Sequence, residues 1–412
     1  MKEKPKTLTP KLRFPEFQDE WRESPLGTVV KEFQQKSTTQ DEHEVLTSAR
    51  GGLMRQVDYF GEGRITERDN VGFNVIPADY LTYRSRTDDG RFYFNHNDLD
   101  ITGIISIYYP VFHSTDGSNA FLATLLNRFS TAIGTHSVGT SQRVLPISKL
   151  LQVRLPIPAA AEQRKIAACL ASLDEWIAAE GRKLEVLRAH KKALTRELFP
   201  REGESRPSLR FCEFGDAPEW KIRTLGSVCQ RIMDGTHFSP KTKSGPRPYL
   251  TSKNIRDGWI DLSTVSYISE EEHREIYARC PVSKFDVLLT KDGANTGNCA
   301  INTLDFEFSL LSSVAVLRGD ASLLDQNFLY QLVASESVQT KIMNSMSGQA
   351  ITRITLEKLG SYAISLPAIG EQQRIAACLS SLDALAAAQS RKLGSLRAHK
   401  KGLMQQLFPS PG

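Results

Sequence analysis

Between residues 162 and 200 the apolar positions fall at Ile166, Leu170, Leu173, Ile177, Leu184, Leu187, Leu194 and Leu198. Steps of three and four residues draw one stripe along a helix, the 3.5-residue seam of a coiled coil. The stripe returns at Ile375, Leu379, Leu382, Leu393, Leu396, Leu403 and Leu407. Pro158 and Pro367 precede the two stripes and Pro200 and Pro409 close them, so each predicts one uninterrupted helix. Glu162 and Glu371 fall in the first turns and Arg/Lys/His clusters lie near the ends, the charge order that complements a helix dipole. About 37 helical residues rising 1.5 Å each make a rod of ~55 Å.

The two stripes are copies. At an offset of 209, residues 162–200 and 371–409 are identical at 25 of 39 positions. A weaker echo joins LRFPEF (12–17) to LRFCEF (209–214), followed by Trp21 or Trp220 and by Leu-Gly. The chain therefore reads as two tandem units: a head at 1–158, a helix at 159–200, a second head at 201–367 and a second helix at 368–412. A parallel pairing of the seams needs a return connection as long as the rod, so the expected arrangement is antiparallel. Its register sets Ile166 beside Leu407 and Leu198 beside Ile375, with the heads inverted about an approximate two-fold axis. LRAHKK, at 187–192 and 396–401, lies in both copies. Lys191 and Lys400 occupy seam positions, where the stems cover apolar surface and the ammonium groups are expected to reach water. For Arg188, His190 and Lys192, and for Arg397, His399 and Lys401, a solvated helix end, partner docking and phosphate contact all stay open.

In the heads the period changes. VLTSARGG, NVIPADYLTYRS, GRFYFN and GIISIYYPVF alternate β-branched or aromatic runs with turn residues, and NAFLATLLNRF predicts a helix. The second head offers PYLTSKNI, FDVLLTKDGANTG, CAINT and SSVAVLRG as strands, and NFLYQLVASESVQTKIMNSM as one amphipathic helix. Both heads end in a Gly-containing loop and a final strand that leads into the helix, with Lys149 and Lys358 equivalent. The fold class is thus α/β: two mixed α/β heads joined by two long helices forming an antiparallel coiled coil, with a pseudo-two-fold internal repeat.

Composition adds little to this pattern. A chain of 412 residues with 40% hydrophobic and 24% charged residues is ordinary for a globular protein of two or three domains. No apolar run approaches the ~20 residues that cross a bilayer, and no signal-peptide core opens the chain, so a cytoplasmic location is expected. Six cysteines without CxxC or Cys/His ligand spacing predict reduced thiols and no metal site. The net charge of +5 permits an anionic partner without demanding one.

No Walker A loop, GxGxxG, HExxH, DPPY or NPPY stretch is present, so no catalytic site is visible. Loop residues instead supply cations and amides for phosphates and bidentate groups for base edges. In the first head these are Thr47, Ser48, Arg50, Arg55, Gln56, Tyr83, Arg84, Ser85, Arg86, Gln142 and Arg143. In the second they are Thr236, His237, Lys241, Lys243, Arg247, Ser252, Lys253, Asn254, Arg256, Lys291, Asn295, Thr296, Gln349 and Arg353. DGTHFSPKTK reads as a turn or a DNA-facing loop rather than a metal site. TKDGANTG reads equally as a phosphate cradle or a hairpin turn.

The helix starts of the form proline-x-x-x-EQ-x-x-IA at 158–167 and 367–376, the KKGLMQQLFP ending at 400–409, the DGTH and TSKNI loops at 234–237 and 251–255, and the two-fold repeat together resemble the specificity subunits of type I restriction-modification systems. The resemblance covers nearly the whole chain. It implies that each head is a target recognition domain reading one half of a split double-stranded DNA site, with the paired helices as a ruler for the gap. It also implies docking of two methyltransferase (modification) subunits, with restriction subunits as further partners. S-adenosylmethionine, ATP and Mg are then expected on those partners, and none of them on this chain. The sequence departs from the family pattern at PAAAEQ, where a more apolar proline-rich run is usual, and at Arg143, one place out of step with Arg353. A coiled-coil adaptor that binds only proteins and a self-contained DNA-modifying enzyme are the alternative readings.

Overall fold

The computed structural model describes residues 9–60, 69–140, 142–201, 203–242, 244–346 and 353–410. The chain divides into two compact units, Met1–Ala179 with Leu393–Gly412 and Glu180–Lys392. Two long helices, Ala160–Leu198 and Ile369–Gln406, give each unit the start of one helix and the end of the other.

The head of the first unit contains β1 (Arg22–Pro25), β2 (Val30–Phe33), β3 (Glu44–Ala49), β4 (Gly52–Arg55), β5 (Asn74–Ile76), β6 (Leu81–Tyr83), β7 (Arg86–Thr87), β8 (Phe94–His96), β9 (Gly103–Ile105), β10 (Val111–Ser114), β11 (Arg143–Val144) and β12 (Arg154–Ile157). One sheet has the order β2-β10-β6-β8 and another β4-β3-β9-β5, with β3 and β9 parallel. β1 pairs with β12, tying the beginning of the head to the strand before the helix, and β7 pairs with β11.

The second head contains β13 (Lys221–Thr224), β14 (Cys229–Asp234), β15 (Arg247–Leu250), β16 (Ser266–Ile268), β17 (Val287–Thr290), β18 (Cys299–Ile301), β19 (Ser309–Leu310), β20 (Val314–Gly319) and β21 (Ala363–Leu366). Its strand order repeats that of the first: β14-β20-β17-β18, a parallel β15/β19 pair, and β13 against β21. Both cores show why the strand sequences are unbroken apolar runs. Val287, Leu289, Ala315 and Leu317 enter one hydrophobic cluster, while Leu288, Val314 and Val316 enter a second on the opposite face of the sheet.

Helix Asn119–Arg128 covers the first sheet and is capped by Ser118, whose side chain accepts from the Phe121 amide. Asp325 caps Gln326–Ala334 in the same way through the Phe328 amide. The single helix expected over 327–346 is two, Gln326–Ala334 and Glu336–Met346. Ser335 separates them in an extended conformation, its hydroxyl donating to the Leu332 carbonyl, and the second helix begins on the acidic Glu336.

Inside each unit the helix segments run antiparallel. In the first, Ile166 and Leu170 share a core with Leu403 and Leu407, and Asp174 pairs with Lys400. In the second, Leu194 and Leu198 share a core with Ile375 and Leu379, and Lys191 donates to both oxygens of Asp383 at 2.6 and 2.8 Å. The two seam lysines therefore end on aspartates of the facing helix, not in bulk water. Asp174 and Asp383 are themselves copies, so one ion pair is made twice. Both pairs are partly exposed, and Lys191→Met or Lys400→Met should cost only about 0.2–1 kcal/mol in chemical denaturation.

The repeated LRF, EQ and LFP motifs converge where head meets helix. Arg13 of LRF donates to both carboxylate oxygens of Glu162 at 2.8 and 2.7 Å, as Arg210 does to Glu371 at 2.8 and 2.5 Å. Gln163 and Gln372 each donate to the proline carbonyl that precedes their helix, Pro158 and Pro367. Each also accepts from the N-cap amide of the head's own helix, Ser118 or Asp325. The LFP endings complete the junctions. Phe408 packs against Trp21 and Phe121, and Phe199 against Trp220 and Phe328. Glu162 and Glu371 thus serve as buried counter-ions in addition to sitting in first turns.

Candidate nucleic-acid interface

In the second head three loops hang on the short segment 310–313, and a fourth is joined to it through Lys291. Thr236 of the DGTH loop donates from its amide to the Leu310 carbonyl, and its own carbonyl accepts from the Ser312 amide. A side chain at Gly235 would collide with the Leu310 carbonyl, so only glycine permits this approach. Ser252, in the TSKNI turn, donates its amide to the Ser313 hydroxyl. The Lys291 amide donates to the Ser313 carbonyl, and the Lys291 carbonyl accepts from Ile354, which follows Arg353. TKDGANTG joins the antiparallel β17 and β18 and is a hairpin connection, with Gly293 and Gly297 at φ +91° and +99°.

His237, Lys241, Lys253 and Arg353 are exposed on these loops, and Thr236, Ser252, Asn295 and Thr296 are half-buried beside them. Two candidates are interior. Lys291 is 1% exposed, with its ammonium 3.1 Å from Asp234, and Asn254 is buried, accepting from the Thr251 amide and donating to the Asp261 carbonyl. Such residues hold loops in shape and cannot reach a base edge from there. Arg247 is engaged by Glu270 and Glu307, and Arg256 by Asp261. Lys243 and Gln349 lie outside the described residues.

In the first head the β7/β11 ladder sets Arg143 opposite Thr87, and the Arg143 side chain lies against Gly90. Arg86 stacks over Tyr108 at 4.4 Å, and Arg50 lies 5.5 Å from the Tyr93 ring while donating to Asp89 at 3.1 Å. The Thr87 hydroxyl and the Arg91 amide hold the Asp89 carboxyl below the usual range, so it stays a fixed anion among these guanidinium groups. Arg84 and Gln142 are exposed and Ser85 is half-buried. Arg55 pairs with Glu44, Gln56 begins the helix Gln56–Phe60, Thr47 is half-buried in β3, and the Ser48 hydroxyl accepts from Asn95. Tyr83 does not belong to the surface: its ring is in the core, its hydroxyl donates to the Leu145 carbonyl, and burial pushes its pKa far up.

A sequence model described as the type I restriction modification DNA specificity domain matches residues 19–189 and again 218–395. The chain belongs to this family. Each match runs from the head into its following helix, so one specificity domain is a head plus most of a helix. Among curated relatives, the MjaVIII specificity subunit of Methanocaldococcus jannaschii is 26% identical over 263 residues, 62% of this chain and 61% of that protein. The EcoBI specificity subunit of Escherichia coli is 28% identical over 155 residues, 38% of this chain and 32% of that one. The match to the MjaX specificity subunit likewise spans only 60% of the relative's length. The solved S subunit of the type I system from M. genitalium superposes with a TM-score of 0.62 at 15% identity, over 97% of this chain and 99% of that one. A chain from a structure of type I complex assembly and conformational transition gives 0.52 at 19%, over 95% and 98%. At these identities the superpositions establish the fold.

In these tandem specificity domains the loop surface also carries aromatic side chains besides the cations and amides expected from the sequence. Tyr108, Phe238 and Trp259 are exposed, and Arg86 already stacks on Tyr108. For Phe238 the available signal was an aromatic residue between His237 and Lys241 in the DGTHFSPKTK turn. Among the described residues no cluster of His, Cys, Asp or Glu is arranged to hold a metal, and no helix is long and apolar enough to cross a membrane. Burial pushes the Cys229, Cys280 and Cys299 thiols up to about 12, so none of them presents a thiolate nucleophile near neutral pH.

Proposed function

We propose that this chain is the DNA-recognition subunit of a type I restriction-modification complex, without a catalytic site of its own. Each head reads one half of a bipartite double-stranded site. The helical pair sets the unspecified spacer and docks two methyltransferase subunits, and restriction subunits complete the complex. S-adenosylmethionine, ATP and Mg belong to those partners. The observation that carries this reading is the pairing of a duplicated scaffold with divergent loops. Both heads share one strand order and one helix junction, yet their loops differ: the first sets Arg50 and Arg86 against Tyr93 and Tyr108, while the second carries His237, Lys253 and Asn295. A shared frame with different loop chemistry suits two different half-sites presented to identical partners.

The test is a head exchange. Residues 1–155 are replaced by the corresponding segment of another specificity subunit, and methylated adenines are mapped in cells that carry the hybrid and its methyltransferase partner. One half of the methylated motif should change while the other half stays. A change in both halves contradicts independent reading. Methyl transfer by the purified chain alone with S-adenosylmethionine contradicts the non-catalytic role, and absence of sequence-selective DNA binding by the assembled complex leaves the protein-only adaptor.

A further inference from the structure

Phe238, next to His237 in the DGTH loop, is 76% exposed, the largest exposure of any large apolar side chain among the described residues. A ring left in water forgoes the burial free energy an aromatic side chain ordinarily gains, and a slack loop would fold it back onto the head. This loop is held at both ends. On one side Gly235 lies against the Leu310 carbonyl and the Thr236 amide donates to it. Directly beneath, the buried Lys291 ammonium meets Asp234, and the other carboxylate oxygen of Asp234 faces His237 at 3.5 Å. On the far side the Glu272 carboxylate accepts from the Lys241 and Thr242 amides at 2.6 and 3.1 Å and from the Thr242 hydroxyl. Between the anchors the Phe238 amide donates to the Thr236 hydroxyl at 3.2 Å, closing a tight turn on which the ring stays exposed.

The immediate surroundings are polar, with the Asp234 and Glu272 carboxylates engaged in holding the loop. His237 and Lys241 flank the ring in sequence, and both are exposed. An apolar protein partner would call for a wider apolar patch around the ring. A lone anchored aromatic beside an exposed lysine and an exposed histidine matches instead the elements with which proteins stack on bases or wedge between base steps while neighbouring polar and basic groups hold the phosphates. We infer that Phe238 is a DNA-contacting residue of the second head, stacking on or inserting beside a base of the half-site that this head reads. The inference rests on the DNA-recognition role proposed above and adds the residue and its mode of contact.

The test uses the chain assembled with its methyltransferase partner and a duplex bearing the site recovered by adenine mapping. Phe238→Ala should weaken binding on the order of 5- to 150-fold, the loss expected for one base–aromatic stack. The slope of log affinity against log salt should not move, because no cation is removed. Melting temperature and partner assembly should be unchanged, and Phe238→Trp should keep most of the affinity. With 2-aminopurine in the second head's half-site, the wild-type complex should change its emission on binding, and the alanine variant should lose that change. Equal affinity for wild type and Phe238→Ala overturns the inference. Loss of partner assembly with DNA affinity intact also overturns it, and makes the ring a protein-docking anchor. A wild-type complex that discriminates no site removes the DNA-recognition role itself, and the inference falls with it.

Discussion

Replacing Glu371 with alanine is expected to destabilise the second unit by about 3–5 kcal/mol, the loss characteristic of a buried ion pair deprived of one partner. The side chains of Arg210 and Glu371 are 5% and 2% exposed, and the guanidinium meets the carboxylate at two points. Without the carboxylate, Arg210 keeps only the Ala217 and Pro218 carbonyls, and the Trp220 indole N–H loses its acceptor. A full positive charge then remains in the interior, which is the origin of the large effect. The loss should appear as a lower denaturant midpoint of the intact chain. Replacing both partners by apolar residues, Arg210→Met with Glu371→Leu, should recover most of it, because no charge is then stranded. Glu162→Ala in the first unit should cost less, since Arg13 is 14% exposed and water reaches part of its charge. If Glu371→Ala cost no more than an exposed pair, ~0.2–1 kcal/mol, the junction would not depend on this bond.

The scaffold was readable in the sequence because its chemistry is written twice. Seam leucines, bounding prolines and the EQ pair recur at a fixed offset, and all of the seam residues are buried or half-buried in the structure. The lysine–aspartate pairs were within reach of the same reasoning. A register that sets Ile166 against Leu407 also brings 174 near 400 and 191 near 383, and Asp174 and Asp383 stand in the copied segment. Treating Lys191 and Lys400 as solvated overlooked the acids on the facing helix. The bond from LRF to EQ was not inferable in that way, because Arg13 and Glu162 lie 149 residues apart with no periodicity to join them. The common strand order of the heads was hidden for a different reason. A buried strand needs only apolar residues facing each core, a demand that many sequences meet, so topology persists where identity does not. Surface loops were the least legible. Lys291 and Asn254 carry the side chains expected of DNA contacts but are spent on Asp234, Thr251 and Asp261. Their burial depends on loop packing that composition does not encode.

Phe408→Ala is expected to cost the first unit about 3–5 kcal/mol, the range for truncating a buried aromatic side chain. Its ring is 1% exposed, stacked on Phe121 at 5.3 Å and edge-on to Trp21 at 6.3 Å. Arg128 further fastens the segment by donating to the Pro409 carbonyl at 2.9 Å. A residue near the end of the second helix therefore completes the core of the first head. The loss is a large share of the ~5–15 kcal/mol that ordinarily separates a folded domain from its unfolded chain. Calorimetry of the intact chain should show the transition of the first unit moving down while that of the second stays, and Phe199→Ala should give the mirror result. On the DNA-recognition role proposed above, binding by the assembled Phe408→Ala complex should lose its dependence on the half-site assigned to the first head and keep its dependence on the other. Equal shifts of both transitions in either variant would mean that the units do not unfold separately. Selectivity could then not be lost one half-site at a time, because damage to either junction would reach both heads.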